Sequence, residues 1–95
     1  MIQKSKPLFP LGKTVATHGA LEALQKNNQS PLEFFERHQH GDWSELCDED
    51  REANEQALKN GDRIFSVYHL NDNTKVWIIS EADRSATTIL LPEEY

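Results

Sequence analysis

The chain has 95 residues, with Asp+Glu 16 against Lys+Arg 10 and a formal net charge of -6. A chain of this length buries only about 60 to 65 % of its unfolded surface, which allows one domain with one small core and excludes a second. Hydrophobic residues make up 37 % and charged residues 27 %, with Gly 4 and Pro 4, a composition that excludes disorder and collagen. The acidic balance opposes direct nucleic-acid binding, which runs on neutralisation of phosphates by Lys and Arg.

In chain order, residues 1–16 read as an extended arm. Lys4, Lys6 and Lys13 occur there without an acid, and Pro7, Pro10 and Gly12 break up the apolar residues. A helical half is expected over 17–60. Thr17 can cap a first helix over about 18 to 27, with Ala20, Leu21, Ala23 and Leu24 as a narrow apolar stripe. Ser30-Pro31-Leu32-Glu33 has the form of a capping box with Pro at the first helical position, and Gly41 stops that second helix near His40. Leu32, Phe34 and Phe35 should bring its bulk to the core, with Trp43 and Leu46 in the connection that follows. A third helix should run from Cys47-Asp48 to Gly61, carrying Ala53, Ala57 and Leu58 inward.

After Gly61 the hydrophobic period changes to two. Residues 62–92 read as a three-stranded antiparallel meander, with Ile64, Ser66, Tyr68 and Leu70 on one face of its first strand and Phe65, Val67 and His69 on the other. Asn71 to Thr74 is a polar turn, and Val76-Trp77-Ile78-Ile79 is apolar on both faces, as a middle strand covered twice would be. The helices supply one cover; the arm or a second subunit docked on the sheet would supply the other. The predicted fold class is therefore α+β, three short helices followed by the meander.

The charge is concentrated. Asp42 to Glu55 holds seven acids and one base, so this segment accounts for the whole net charge and the remainder is balanced. One reading is a solvated helix start that complements the macrodipole. The sharper one makes Asp42, Glu45, Asp48, Glu49, Glu52 and Glu55 a docking surface for a protein partner with a basic surface, or a mimic of nucleic-acid phosphates. The second cluster is Glu81 to Thr88, where Glu81, Arg84 and Thr87, joined by His69 from a neighbouring strand, have the groups of a small metal-independent ribonuclease or toxin-like enzyme. In the simpler reading Asp83 bonds turn N–H groups, Arg84 pairs with Glu81, and the threonine hydroxyls face solvent. His38 and His40 lie two residues apart near a helix end, a spacing that does not suit a helical metal pair, and no metal or cofactor is expected. Cys47 lies alone among acids, which disfavours a thiolate and an internal disulfide and suits a reducing cytoplasm. No run reaches the roughly 18 apolar residues of a membrane span.

Three segments, Ala16 to Leu24, His40 to Trp43 and Glu81 to Tyr95, resemble a family of small uncharacterised bacterial proteins carried on plasmids and mobile elements. Some of its members bear the label of a type I restriction subunit M, which a chain of this size cannot support. The resemblance spans about positions 9 to 95 and implies a context, that of a mobile element, without an activity. That family usually has Pro at the place of His18 and an aliphatic residue near Cys47, so neither residue is expected to carry a shared function.

Overall fold

The structure, a computed structural model, describes residues 6–95. Its elements are β1 (Lys13–Ala16), α1 (His18–Lys26), α2 (Pro31–Gln39), α3 (Asp48–Asn60), β2 (Ile64–His69), β3 (Lys75–Ser80), β4 (Ala86–Leu90) and a closing 3-10 turn, Pro92–Glu94. The α+β class and the antiparallel pairing of β2 with β3 and β3 with β4 are as expected. The arm is not only an arm. Its residues Lys13–Ala16 pair in parallel with β4, so the sheet is mixed and four-stranded, in the order β1-β4-β3-β2, rather than a three-stranded antiparallel meander preceded by helices.

Local signals set the helix ends. Thr17 Oγ1 accepts from Ala20 N at 3.3 Å, and Ser30 Oγ accepts from Leu32 N at 3.2 Å with Pro31 opening α2. The Glu33 carboxylate does not close a reciprocal box and accepts from Gln29 Nε2 instead. Gly61 ends α3 with φ 73°, a left-handed conformation that glycine adopts without steric cost. Gly12, at φ +66°, lets the arm pass so close to the turn before β4 that a Cβ there would lie 2.3 Å from the Arg84 carbonyl oxygen.

The helices cover one face of the sheet. Ala20, Leu24, Phe34, Phe35, Tyr68, Leu70, Val76, Ile78 and Ile89 form the main core. Burying a side chain the size of Phe34 contributes about 2 to 3 kcal/mol. A second cluster joins Phe9, Trp43, Leu46, Ala57 and Ile64, so the described part of the arm packs on the helical side, not over the opposite sheet face, while residues 1–5 of the expected arm lie outside the described residues. The Trp43 indole Nε1 is buried there and finds no acceptor among the described residues. That opposite face is partly covered by the Pro92–Glu94 turn and Tyr95, whose ring meets the edge of Trp77 with centroids 5.8 Å apart. Two expected core positions are corrected. Leu32 is 68 % exposed because it sits in the first turn of α2, beyond the sheet edge. Ala53 is exposed while the next residue, Asn54, is buried.

Asn54 is buried for a structural reason. Its Nδ2 donates to the Phe65 carbonyl at 2.6 Å and its Oδ1 accepts from the Phe65 N–H at 3.0 Å. The carboxamide thus stands in for a neighbouring strand at Phe65, the first outward residue of the β2 edge, and satisfies both of its backbone groups.

Candidate functional site

Three regions gather polar or charged side chains, and they lie at different places on the fold. The first is the acidic segment. Asp42 accepts from Arg37 Nε at 2.5 Å and from Ser44 Oγ at 2.9 Å. Burial pushes the Asp42 carboxyl up, but the bonds from Arg37 and Ser44 and the guanidinium charge outweigh it and hold the group below its ordinary range. Glu45 accepts from Arg37 Nη2 at 3.2 Å and contacts His69 Nδ1 at 2.6 Å. The Arg37 guanidinium stacks on Tyr68, 4.3 Å from the ring centroid, and the Tyr68 hydroxyl donates to the Asp42 carbonyl at 2.7 Å. Asp42 and Glu45 are therefore joints between the loop, α2 and β2. Asp48 pairs with Arg51 one turn along α3. Glu49, Asp50, Glu52 and Glu55 remain on the exposed side of α3, with no base as partner among the described residues. The acidic surface is thus narrower than the six residues named from sequence, and Asp50 belongs to it.

The second region is the turn and strand from Glu81 to Thr88. His69, Glu81, Arg84 and Thr87 do not converge. His69 stands opposite Lys75 at one end of the β2–β3 ladder, whereas Arg84 lies beyond Ser80 at the other, so five residues of strand, roughly 16 Å, separate the two ends. The Arg84 guanidinium is spent on four backbone carbonyls: Asp62 (2.7 Å), Glu81 (3.0 Å), Ala82 (3.2 Å) and Ala57 (3.3 Å). It fastens the β3–β4 turn to the end of α3 and covers the Phe9 ring. The Glu81 carboxylate turns to Arg63 at 3.7 Å, not to Arg84. Thr87 points away from solvent and is fully buried. Asp83 does bond its turn, accepting from Ser85 N at 3.0 Å.

Thr87 belongs to the third region, a buried chain of hydrogen bonds centred on His38. Its contacts are Ser66 Oγ to His38 Nδ1 (2.5 Å), His38 Nε2 to Ser80 Oγ (2.9 Å), Ser80 Oγ to Thr87 Oγ1 (2.6 Å) and Thr87 Oγ1 to the Leu11 carbonyl (2.7 Å). The terminal carbonyl fixes the protons as far as Nε2, and the neutrality of the buried ring fixes the last one. Leu11 O only accepts, so Thr87 donates to it; Ser80 must then donate to Thr87 and accept from Nε2–H. Nδ1 is left as the acceptor for the Ser66 hydroxyl, and the imidazole is the neutral Nε2–H tautomer. Burial, reinforced by the positive charge of Arg84, pushes its pKa down to about 3. A residue this enclosed is a core group and not an accessible base. Helix spacing carried part of the signal, since Phe34, Phe35 and His38 share one face of α2. The other members of the chain, Ser66, Ser80, Thr87 and Leu11, lie too far from His38 in sequence for any local pattern to associate them with it.

On the sheet face away from the helices, Phe65, Trp77 and Tyr95 form an aromatic row, with Phe65 and Trp77 edge to face at 5.3 Å. With Arg63 and Ile79 they line a shallow depression of about 320 Å³. No group of three or more His, Cys, Asp or Glu able to hold a metal forms among the described residues, and no helix there is long and apolar enough to cross a membrane. In comparison with known proteins, no family model, curated protein or solved structure matches this chain.

Proposed function

We propose that this protein is a non-enzymatic, cytoplasmic interaction module that uses the outer side of α3 to engage a protein with a basic surface. The observation that carries this reading is the set of four exposed carboxylates, Glu49, Asp50, Glu52 and Glu55, held on one helix, none of them ion-paired with a base among the described residues, since Arg51 pairs with Asp48. Asn54 fixes that helix to β2, so the charges are presented without a backbone ordering cost at the moment of binding. Carboxylates on adjacent turns repeat at about 5 to 6 Å, a spacing on the scale of successive phosphates along one nucleic-acid strand. A basic groove that otherwise holds nucleic acid is the corresponding partner, and the resemblance to mobile-element proteins gives such an encounter a setting in blunting host defence. The alternative, a small ribonuclease built around Arg84, draws no support from the dispersed positions of His69, Glu81, Arg84 and Thr87.

The test is a quadruple substitution, Glu49→Gln, Asp50→Asn, Glu52→Gln and Glu55→Gln, on side chains that make no hydrogen bond or ion pair among the described residues. Wild type should retain a basic protein from bacterial lysate at low salt and release it as ionic strength passes about 0.3 M. The variant, with an unchanged circular dichroism spectrum, should not retain it. Equal retention by both proteins refutes the reading.

A further inference from the structure

The two edges of the sheet are treated differently. At the β2 edge Asn54 takes the outward N–H and C=O of Phe65, whereas β1, at the other end, has a strand on one side only among the described residues and no side chain that takes its outward groups. Within β1 the bonding direction alternates. Lys13 N donates to Ser85 O at 3.0 Å and Thr17 N to Ile89 O at 3.1 Å, so residues 13, 15 and 17 face β4 with their backbone groups. The N–H and C=O of Thr14 and Ala16 therefore point outward, and no group among the described residues takes them. Apolar side chains flank this edge. Val15 is 38 % and Leu32 68 % exposed, and a groove beside β1 is lined by Thr14, Val15, Ala16, Pro31, Leu32 and Phe35.

We infer that β1 pairs antiparallel with β1 of a second copy of this chain, joining two four-stranded sheets into one of eight strands. The outward groups dictate the register. Thr14 of each copy stands opposite Ala16 of the other and the two residues exchange both backbone bonds, four bonds in all. Val15 then meets its own symmetry mate in the close, non-hydrogen-bonded position, where apolar β-branched pairs contribute most. Lys13 falls opposite Thr17 of the other copy. Thr17 Oγ1 donates to Glu94 Oε1 at 2.5 Å, so the Lys13 ammonium reaches a carboxylate already fixed on the same sheet face, twice over by symmetry. The two-fold axis runs normal to the sheet, which keeps both helical layers on one side and brings the exposed Leu32 side chains toward the seam. This seam and the acidic side of α3 lie at opposite edges of the sheet, so each can fail without the other.

Sedimentation equilibrium at up to about 0.5 mM protein tests the pairing, since so short a seam belongs to the small, weak class of interfaces. Wild type should move toward twice the 10.9 kDa chain mass as concentration rises. Thr14→Pro removes an outward N–H while leaving every bond to β4, and should remain monomeric with an unchanged thermal midpoint. Lys13→Glu, at an exposed position, should weaken association at least tenfold by placing a like charge opposite Glu94. A wild type that stays monomeric over the whole range overturns the inference. So does a dimer that persists in both variants, because it would lie elsewhere on the surface.

Discussion

Lowering the pH should attack this fold through one imidazole. His38 is fully buried and neutral, with its pKa pushed down to about 3, whereas in the unfolded chain it titrates near the ordinary 6.5. The unfolded state therefore binds one more proton between those two values, and stability must rise with pH across that window. The contribution is complete above about pH 6.5 and is lost at about 1.4 kcal/mol per unit below it, or roughly 2.7 kcal/mol by pH 4.5. Carboxyls held below their ordinary range, such as Asp42 and Asp83, lose stability in acid as well, so the His38 effect has to be isolated by difference. His38→Gln supplies the reference, because a carboxamide donates to Ser80 and accepts from Ser66 without titrating. Urea unfolding followed by fluorescence of Trp43 and Trp77 should show the variant about 1 to 3 kcal/mol less stable at pH 7.5. The gap should shrink below pH 6 and reverse near pH 5. A difference that stays constant from pH 7.5 to 4.5 refutes the assignment of a neutral, non-titrating His38.

Two further substitutions test how backbone groups are satisfied. Asn54→Ala strips both partners from the Phe65 peptide at a buried position and should cost about 2 to 4 kcal/mol in urea unfolding, with faster exchange of the Phe65 amide; a loss under about 0.5 kcal/mol would mean that solvent replaces the carboxamide. Arg84→Ala removes the donor shared by four carbonyls while leaving the φ 61° backbone strain as it is in wild type, so a loss of about 2 to 3 kcal/mol from the unpaired carbonyls is expected, read as the shift in urea midpoint at constant slope. A near-neutral result there would return the guanidinium to the surface and reopen its use on a ligand.

What the sequence disclosed tracks the range of the forces involved. Thr17, Ser30-Pro31 and Gly61 act within a turn of chain, and all three helices begin or end where those residues require. The alternation of Ile64, Ser66, Tyr68 and Leu70 likewise follows from the pleat. Strand β1 was not legible, because four residues after a glycine carry no period and its partner β4 lies more than seventy residues onward. The inward positions of Asn54 and His38 are not legible for a related reason: polar side chains on an inward face break the hydrophobic pattern, and the groups that justify them come from distant segments. Leu32 misled in the opposite sense, an apolar residue expected to turn inward that stands instead beside the free sheet edge. The acidic total was read correctly, but only geometry separates carboxylates already bonded inside, Asp42 and Glu45, from those on the outer side of α3.

The hydrogen-bond chain through His38 has a consequence for how the molecule comes apart. Its five members come from β2, α2, β3, β4 and the segment ahead of β1, so it closes only when all of them are in place. Any partly assembled form must either wet this chain or leave an imidazole and three hydroxyls stranded in apolar surroundings. Intermediates are penalised in proportion to what they lack, and the segments stand or fall together. For a chain of 95 residues with a modest core, the chain acts as a checkpoint on completeness, sharpening a small stability into an all-or-none transition.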